Sequence, residues 1–189
     1  MSENKSYFAH PSAFIEDNVT IGDNTKIWHQ VQIRTGAKIG ENCIFGKSVF
    51  IDTNVIIGNN VKIQNFVSVY QGVTIEDDVF IGPHVCFTND LLPRAANQDW
   101  ELIQTLVKKG ASIGANSTII CGHSIGEYSM IGAGSLVSKD VPSFALVFGN
   151  PAKIRGYVCY CGKIIKKTDK LLTKGTKLFC KECNKEILL

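Results

Sequence analysis

The chain has 189 residues, of which 44% are apolar and 20% charged, the balance of a folded soluble protein rather than a disordered one. No run of about 18 apolar residues occurs, which excludes a membrane-spanning helix. The polar start, Met1 to His10, lacks the apolar stretch of a secretory signal, so the expected compartment is the cytoplasm. The net charge of +3 is too small to imply a nucleic-acid partner. That charge is also uneven: from Tyr157 onward eight Lys face three acids, which leaves −2 on the first 156 residues.

From Ile15 the chain repeats every six residues. The first position of each hexad is Ile15, Ile21, Ile27, Ile33, Ile39, Phe45, Ile51, Ile57, Ile63, Val69, Ile75, Ile81 and Phe87. The fifth position runs from Val19 and Thr25 through Val31, Ala37, Cys43 and Val49 to Val85, always small or β-branched. A helix repeats near 3.6 residues and a lone strand at 2. A period of six instead fits short strands joined by tight corners and stacked as a solenoid, with first and fifth residues inward. The frequent Gly at the second position (Gly22, Gly40, Gly46, Gly58, Gly82) is expected where a corner leaves little room. A β-sandwich is the competing reading, but its turns are irregularly spaced.

The register breaks at residues 88–106 and resumes at Val107, Ile113, Ile119, Ile125, Ile131 and Val137. An excursion of that length from a rigid scaffold is expected to carry function. The repeat is expected to end at Val141-Pro142, where Pro stops strand pairing.

The remaining segment, residues 157–189, holds Cys159, Cys161, Cys180 and Cys183. Two close thiol pairs suit a tetrahedral structural Zn, and in a reducing compartment such a cluster reads as a metal site before a disulfide framework. The C-x-C spacing of the first pair is tighter than usual; the second is C-x-x-C. A tail this short lacks the core to fold without a staple, so a small zinc-ribbon-like extension is expected to follow a first domain of residues 1–156.

The hexads resemble those of the hexapeptide-repeat acyltransferases, which implies a left-handed parallel β-helix. A narrower string is similar to the nucleotide-sugar 3-N-acetyltransferases of surface polysaccharide (lipopolysaccharide) biosynthesis. It comprises Ile63-Gln64-Asn65, Val67-Ser68-Val69-Tyr70, Glu76-Asp77-Asp78-Val79-Phe80, Gly82-Pro83, Phe87-Thr88-Asn89, Pro93-Arg94-Ala95, Ile131-Gly132-Ala133-Gly134-Ser135, Lys139-Asp140-Val141-Pro142 and Gly149-Asn150-Pro151-Ala152. The resemblance points first to enzymes acting on UDP-2-acetamido-3-amino-2,3-dideoxy-glucuronate and next to those acting on dTDP-3-amino-3,6-dideoxyhexoses. It implies acetyl-CoA as co-substrate and a homotrimer with sites between adjacent solenoids.

On that footing the roles are these. Asn89 orients the sugar amine through its amide oxygen. Asp90 lies beside the amine or merely caps the loop. Arg94 and Arg34 are the candidate partners of a sugar carboxylate or phosphate, against a plain exposed role for each. Gln64 and Tyr70 line the nucleotide or sugar pocket. Small Ala133 and Gly134 admit the pantetheine arm, and Lys139, Lys153 and Arg155 meet the CoA phosphates. The amine proton has two routes: a histidine base, His84 or His123, or loss without any side-chain base, which is the preferred reading. Two other classes fit the sequence less well. A γ-class carbonic anhydrase requires three converging His, and His10, His29, His84 and His123 lack its spacing. A non-catalytic solenoid that binds partners leaves the break segment unexplained.

Overall fold

The computed structural model describes residues 6–97 and 99–189. Among these residues every regular element is a strand, and no helix is long and apolar enough to cross a membrane. The strands of the repeat are two or three residues long and form three parallel sheets, the faces of a prism. Face 1 begins with Phe8–Ala9, Lys26–Ile27 and Ile44–Phe45; face 2 with Phe14–Ile15, Gln32–Ile33 and Phe50–Ile51; face 3 with Thr20–Ile21, Lys38–Ile39 and Ile56–Ile57. Strands pair with the one 18 residues later, or 32 later where the excursion intervenes, so three hexads make one coil of a parallel β-solenoid.

The hexad assigns each residue a physical task. The first and fifth positions fill the interior: Ile27, Val31, Ile33, Val55, Ile63 and Ile81 are all completely buried. At the fifth position Thr25 keeps its hydroxyl satisfied, donating to Gly40 O at 2.9 Å and accepting from Cys43 N at 3.0 Å. The outermost coil is looser: Ile15, Val19 and Ile21 are half-buried for want of a coil beneath them. Backbone groups bond from coil to coil, as Lys26 N to Cys43 O at 2.8 Å and Phe50 N to Val67 O at 2.9 Å.

The corners show why particular residues recur. A Cβ on Gly22 falls 2.6 Å from Gly40 C, so the second-position glycines answer close approach of the next coil. The left-handed backbone lies instead at the fourth position, with φ near 60° at Asn18, Asn24, Asn42, Asn54 and Asn60. Asn tolerates that conformation better than bulkier side chains. Third-position side chains then cap the corner below: Asn59 Oδ1 accepts from Glu41 N at 2.9 Å, and Asp77 Oδ1 from Asn59 N at 2.7 Å.

Three boundaries differ from the sequence expectation. The excursion closes at residue 104, because Thr105–Val107 already pairs with Val73–Ile75 on face 3. The solenoid also does not stop at Pro142. Val141 bridges Ile125, and the strand Ala145–Phe148 adds in parallel to Met130–Ile131 on face 1. Phe144, at φ 59°, turns the chain back into pairing after the proline. Lys153–Val158 then folds back antiparallel on Ala145–Phe148, and Ile164–Lys167 follows it. The division expected after residue 156 thus falls inside a strand, and the tail grows directly from face 1. A separate hairpin, Lys177–Cys180 with Lys185–Leu188, completes the chain.

Candidate active site

The excursion, residues 88–104, replaces a corner of about four residues between faces 2 and 3. Its root is tied down at several points. Thr88 Oγ1 accepts from Cys121 N at 3.0 Å, Asn89 O from Ile103 N at 3.2 Å, and Gln104 O from Gly122 N at 3.0 Å. Asn89 is half-buried, and its amide Nδ2 donates to Gln71 O at 3.4 Å, which points the group along the 2–3 edge and leaves Oδ1 to accept. Asp90 Oδ1 accepts from Leu92 N at 2.8 Å, the loop-capping role. Arg94 is exposed and donates to Pro93 O at 2.8 Å. Leu91, Leu92 and Trp100 present apolar surface on the loop.

The other candidates divide between two edges of the prism. Tyr70 lies on the 2–3 edge one coil from the loop root, its ring edge-on to Phe50 at 5.8 Å. Arg34 is on the same edge three coils away, about 14 Å at the ordinary strand spacing. It is held by Asp52 at 3.1 Å and Glu16 at 3.5 Å, which already neutralise the charge expected for a substrate carboxylate. Gln64, His84, Ala133 and Gly134 all stand on the 1–2 edge. Gln64 borders a recess with Trp28, His29, Lys47 and Asn65. His84 occupies the left-handed corner position, exposed, its ring stacked on Phe66 at 5.0 Å. Ala133 and Gly134 are exposed, and a Cβ on Gly134 meets nothing within 4 Å, an open narrow ledge.

The last coil and the tail enclose a cavity of about 480 Å³. Val137, Val141 and Val147 form its apolar floor, Lys139 and Lys153 stand at its rim, and Asp169 and Leu171 come from the tail. Arg155 is apart from these two lysines, its guanidinium over the Phe148 ring at 5.4 Å.

One cluster was undervalued in the sequence. His123 is half-buried, and its Nδ1 lies 3.7 Å from Asp140 Oδ1, which also accepts from Ser124 N at 2.8 Å. With Gly72, Gln104, Thr105 and Ser124 it lines a recess, and the Thr105 hydroxyl is buried and without a hydrogen-bond partner among the described residues. The signal was a histidine in a fifth position otherwise kept small. Here Cys121 takes the inward place instead, and His123 turns toward the next coil.

In the tail, the Sγ atoms of Cys159, Cys161, Cys180 and Cys183 all lie within 4.8 Å of one another. Donation by Cys183 N–H lowers the Cys180 thiol to about 7, whereas contact with the Cys159 thiol raises Cys183 to about 12.

Comparison with known proteins places this architecture. The bacterial transferase hexapeptide family (six repeats) matches residues 10–53 and 54–89, and the hexapeptide repeat of succinyl-transferase matches 36–71 and 109–139. The solenoid is therefore a transferase scaffold. The dTDP-3-amino-3,6-dideoxy-alpha-D-galactopyranose 3-N-acetyltransferase of Aneurinibacillus thermoaerophilus is 52% identical over 168 residues, covering 89% of this chain and 87% of that protein. A hexapeptide-repeat acetyltransferase from Vibrio cholerae, solved with acetyl coenzyme A, shares 29% identity over 65% of this chain and 70% of that one, with a TM-score of 0.50. PerB from Caulobacter crescentus, solved with CoA and GDP-perosamine, is 23% identical over 79% of this chain and 57% of that one, TM-score 0.52, a likeness of fold. The chain belongs to the hexapeptide-repeat nucleotide-sugar N-acetyltransferases, CoA-dependent enzymes that acylate a sugar amine.

Proposed function

We propose that the protein transfers an acetyl group from acetyl-CoA to the 3-amino group of a dTDP-linked 3-amino-3,6-dideoxyhexose, in the cytoplasm, for surface polysaccharide. The observation that carries this reading is the 52% identity to the Aneurinibacillus enzyme across nearly the whole of both chains. The dTDP sugar displaces the UDP-linked uronate as the preferred substrate. Of the two arginine partners expected for a uronate carboxylate, Arg34 is already engaged by Glu16 and Asp52, and Arg94 donates to Pro93 O.

The neutral 3-amine, oriented by Asn89 Oδ1, attacks the thioester carbonyl; the N–C bond forms and the C–S bond breaks. The proton on nitrogen passes to the departing CoA sulfur, directly or through water, so no side-chain base is required. Positioning then supplies the rate. Asp90 and Tyr70 border the sugar, and Gln64 the nucleotide. Ala133 and Gly134 admit the pantetheine arm, with Lys139, Lys153 and Arg155 facing the phosphates.

Within one chain these groups stand on two different edges, Gln64, Ala133 and Gly134 on one and Asn89, Asp90 and Tyr70 on the other. A complete site forms when the 1–2 edge of one copy meets the 2–3 edge of the next, the arrangement of a homotrimer of left-handed solenoids. The tail enters this chemistry as scaffold, since a metal held by four sulfurs keeps no open position for substrate.

The test is thiol release from acetyl-CoA, measured across 3-amino sugar nucleotides. Turnover of dTDP-3-amino-3,6-dideoxyhexoses with UDP-2-acetamido-3-amino-2,3-dideoxy-glucuronate inert is the expected result. The reverse pattern overturns the substrate assignment.

A further inference from the structure

Acetyl transfer makes no use of the four tail cysteines. Cys159 follows the strand Lys153–Val158, and Cys161 lies two residues on; Cys180 ends the strand Lys177–Cys180, and Cys183 lies in the turn before Lys185–Leu188. The Cys159 and Cys183 sulfurs are 3.2 Å apart, and those of Cys161 and Cys180 3.8 Å. Four sulfurs at about 2.3 Å from one tetrahedral Zn stand about 3.8 Å from each other, which falls inside the observed range. A disulfide needs sulfurs about 2.05 Å apart, and all four cysteines are free.

The local backbone is shaped for this cluster. Gly162, at φ 79°, donates to Cys159 O at 2.8 Å and turns the first pair inward. Asn184, at φ 53°, is also in the left-handed region, directly after the second pair. Beyond Cys159 the tail has little else to hold it: Ile164, Phe179 and Leu188 are exposed by half or more, and Ile187 is the one fully buried aliphatic side chain there among the described residues. Lys163, Lys181 and Lys185, close in sequence to the cysteines, offset the negative charge that four thiolates bring to a divalent ion.

The cluster is also connected to the solenoid. Tyr160, between the first two cysteines, packs edge-on against Tyr128 at 4.7 Å and Phe144 at 4.9 Å. The segment between the two cysteine pairs is pinned by Leu172 N donating to Tyr157 Oη at 2.8 Å, and its Asp169 and Leu171 close the cavity rimmed by Lys139 and Lys153. We propose that Cys159, Cys161, Cys180 and Cys183 bind one structural Zn(II), and that this ion holds the tail as a wall of the cavity at the end of the solenoid. The second half rests on the reading of that cavity as part of the acetyl-CoA site.

The experiment uses the full chain purified under reducing conditions. Elemental analysis is expected to give about one Zn per chain, and Co(II) exchanged into the protein is expected to show the visible bands of a tetrahedral thiolate site. Cys161→Ser and Cys183→Ser are each expected to lose the metal and expose the tail to protease, while far-UV circular dichroism of the solenoid stays unchanged. In those variants KM for acetyl-CoA is expected to rise by roughly tenfold with kcat nearly constant, the signature of lost binding rather than lost chemistry. Should a variant fail to fold, removal of Zn from the wild-type chain by a chelator under reducing conditions, followed by the same KM measurement, reads the same link. Four freely titrating thiols with no Zn, or an iron absorption band in its place, overturn the metal assignment. Metal loss with an unchanged KM overturns the wall. Absence of acetyl transfer in the wild type strikes the functional reading while the Zn stoichiometry still stands or falls by itself.

Discussion

At the scale of the residue, Asn89 and the histidines decide how the amine is positioned and where its proton goes. Asn89 is held by its contact with Gln71 O at the root of the loop, so Asn89→Ala is expected to lower kcat/KM by about a hundredfold, the scale of lost orientation. Steady-state kinetics with saturating acetyl-CoA measure it. His84→Ala and His123→Ala are each expected to cost less than tenfold in kcat, because a required general base is worth about 10²–10⁴. A thousandfold loss in either identifies that histidine as the base; His123, backed by Asp140, is the better placed of the two. The glycines make a different kind of demand. A Cβ at Gly22 lands against the Gly40 carbonyl carbon, and Gly22→Ala is expected to destabilise by about 1–3 kcal/mol in denaturant unfolding. That second-position glycines mark tight space was legible in the sequence. That the left-handed backbone sits two residues later was also written there, in the recurring Asn18, Asn24, Asn42, Asn54 and Asn60, but it takes the traced chain to separate the two causes.

At the scale of the element, the coil is the unit, and each coil is stable only between neighbours. Ile63, completely buried in the middle of the stack, is expected to cost about 2–5 kcal/mol as Ile63→Ala, read as a fall in Tm. The excursion is the opposite case, since its tip is exposed and its root is fixed by bonds at Thr88, Asn89 and Gln104. Replacing residues 88–104 by a short corner like that at Tyr70–Gly72 is expected to leave circular dichroism and Tm nearly unchanged while abolishing turnover. The existence and place of the loop were legible as a broken register. Its far boundary was not: residues 105 and 106 join face 3 by backbone pairing, which does not depend on their side chains. The proline at 142 misled for a related reason, since Phe144 restores the direction of pairing by a turn of the backbone alone.

At the scale of the whole molecule, the decisive fact is that Gln64, Ala133 and Gly134 stand on one edge of the prism and Tyr70, Asn89 and Asp90 on another. Ala133→Trp obstructs the 1–2 edge and Asn89→Ala impairs the 2–3 edge. In the proposed homotrimer each variant alone is expected to keep at most about one hundredth of wild-type turnover. Mixed by co-expression, random trimers rebuild sites from the two unimpaired edges, and activity of roughly a quarter of wild type per site is expected. Activity no greater than the sum of the two separate variants shows that each chain holds its site alone.

The hexad determined the solenoid by itself, because an interior shared by identical coils demands the same residue type at every sixth place, and such a period survives in the sequence without any knowledge of contacts. The four clustered cysteines and the interruption after Phe87 were equally plain. Only the tertiary structure decided which candidates face which edge, that Arg34 is neutralised by carboxylates one coil to either side, and that His123 meets Asp140. Those pairings join residues about 18 apart in sequence across stacked coils, and whether a side chain reaches its neighbour there depends on corner geometry that the period does not encode.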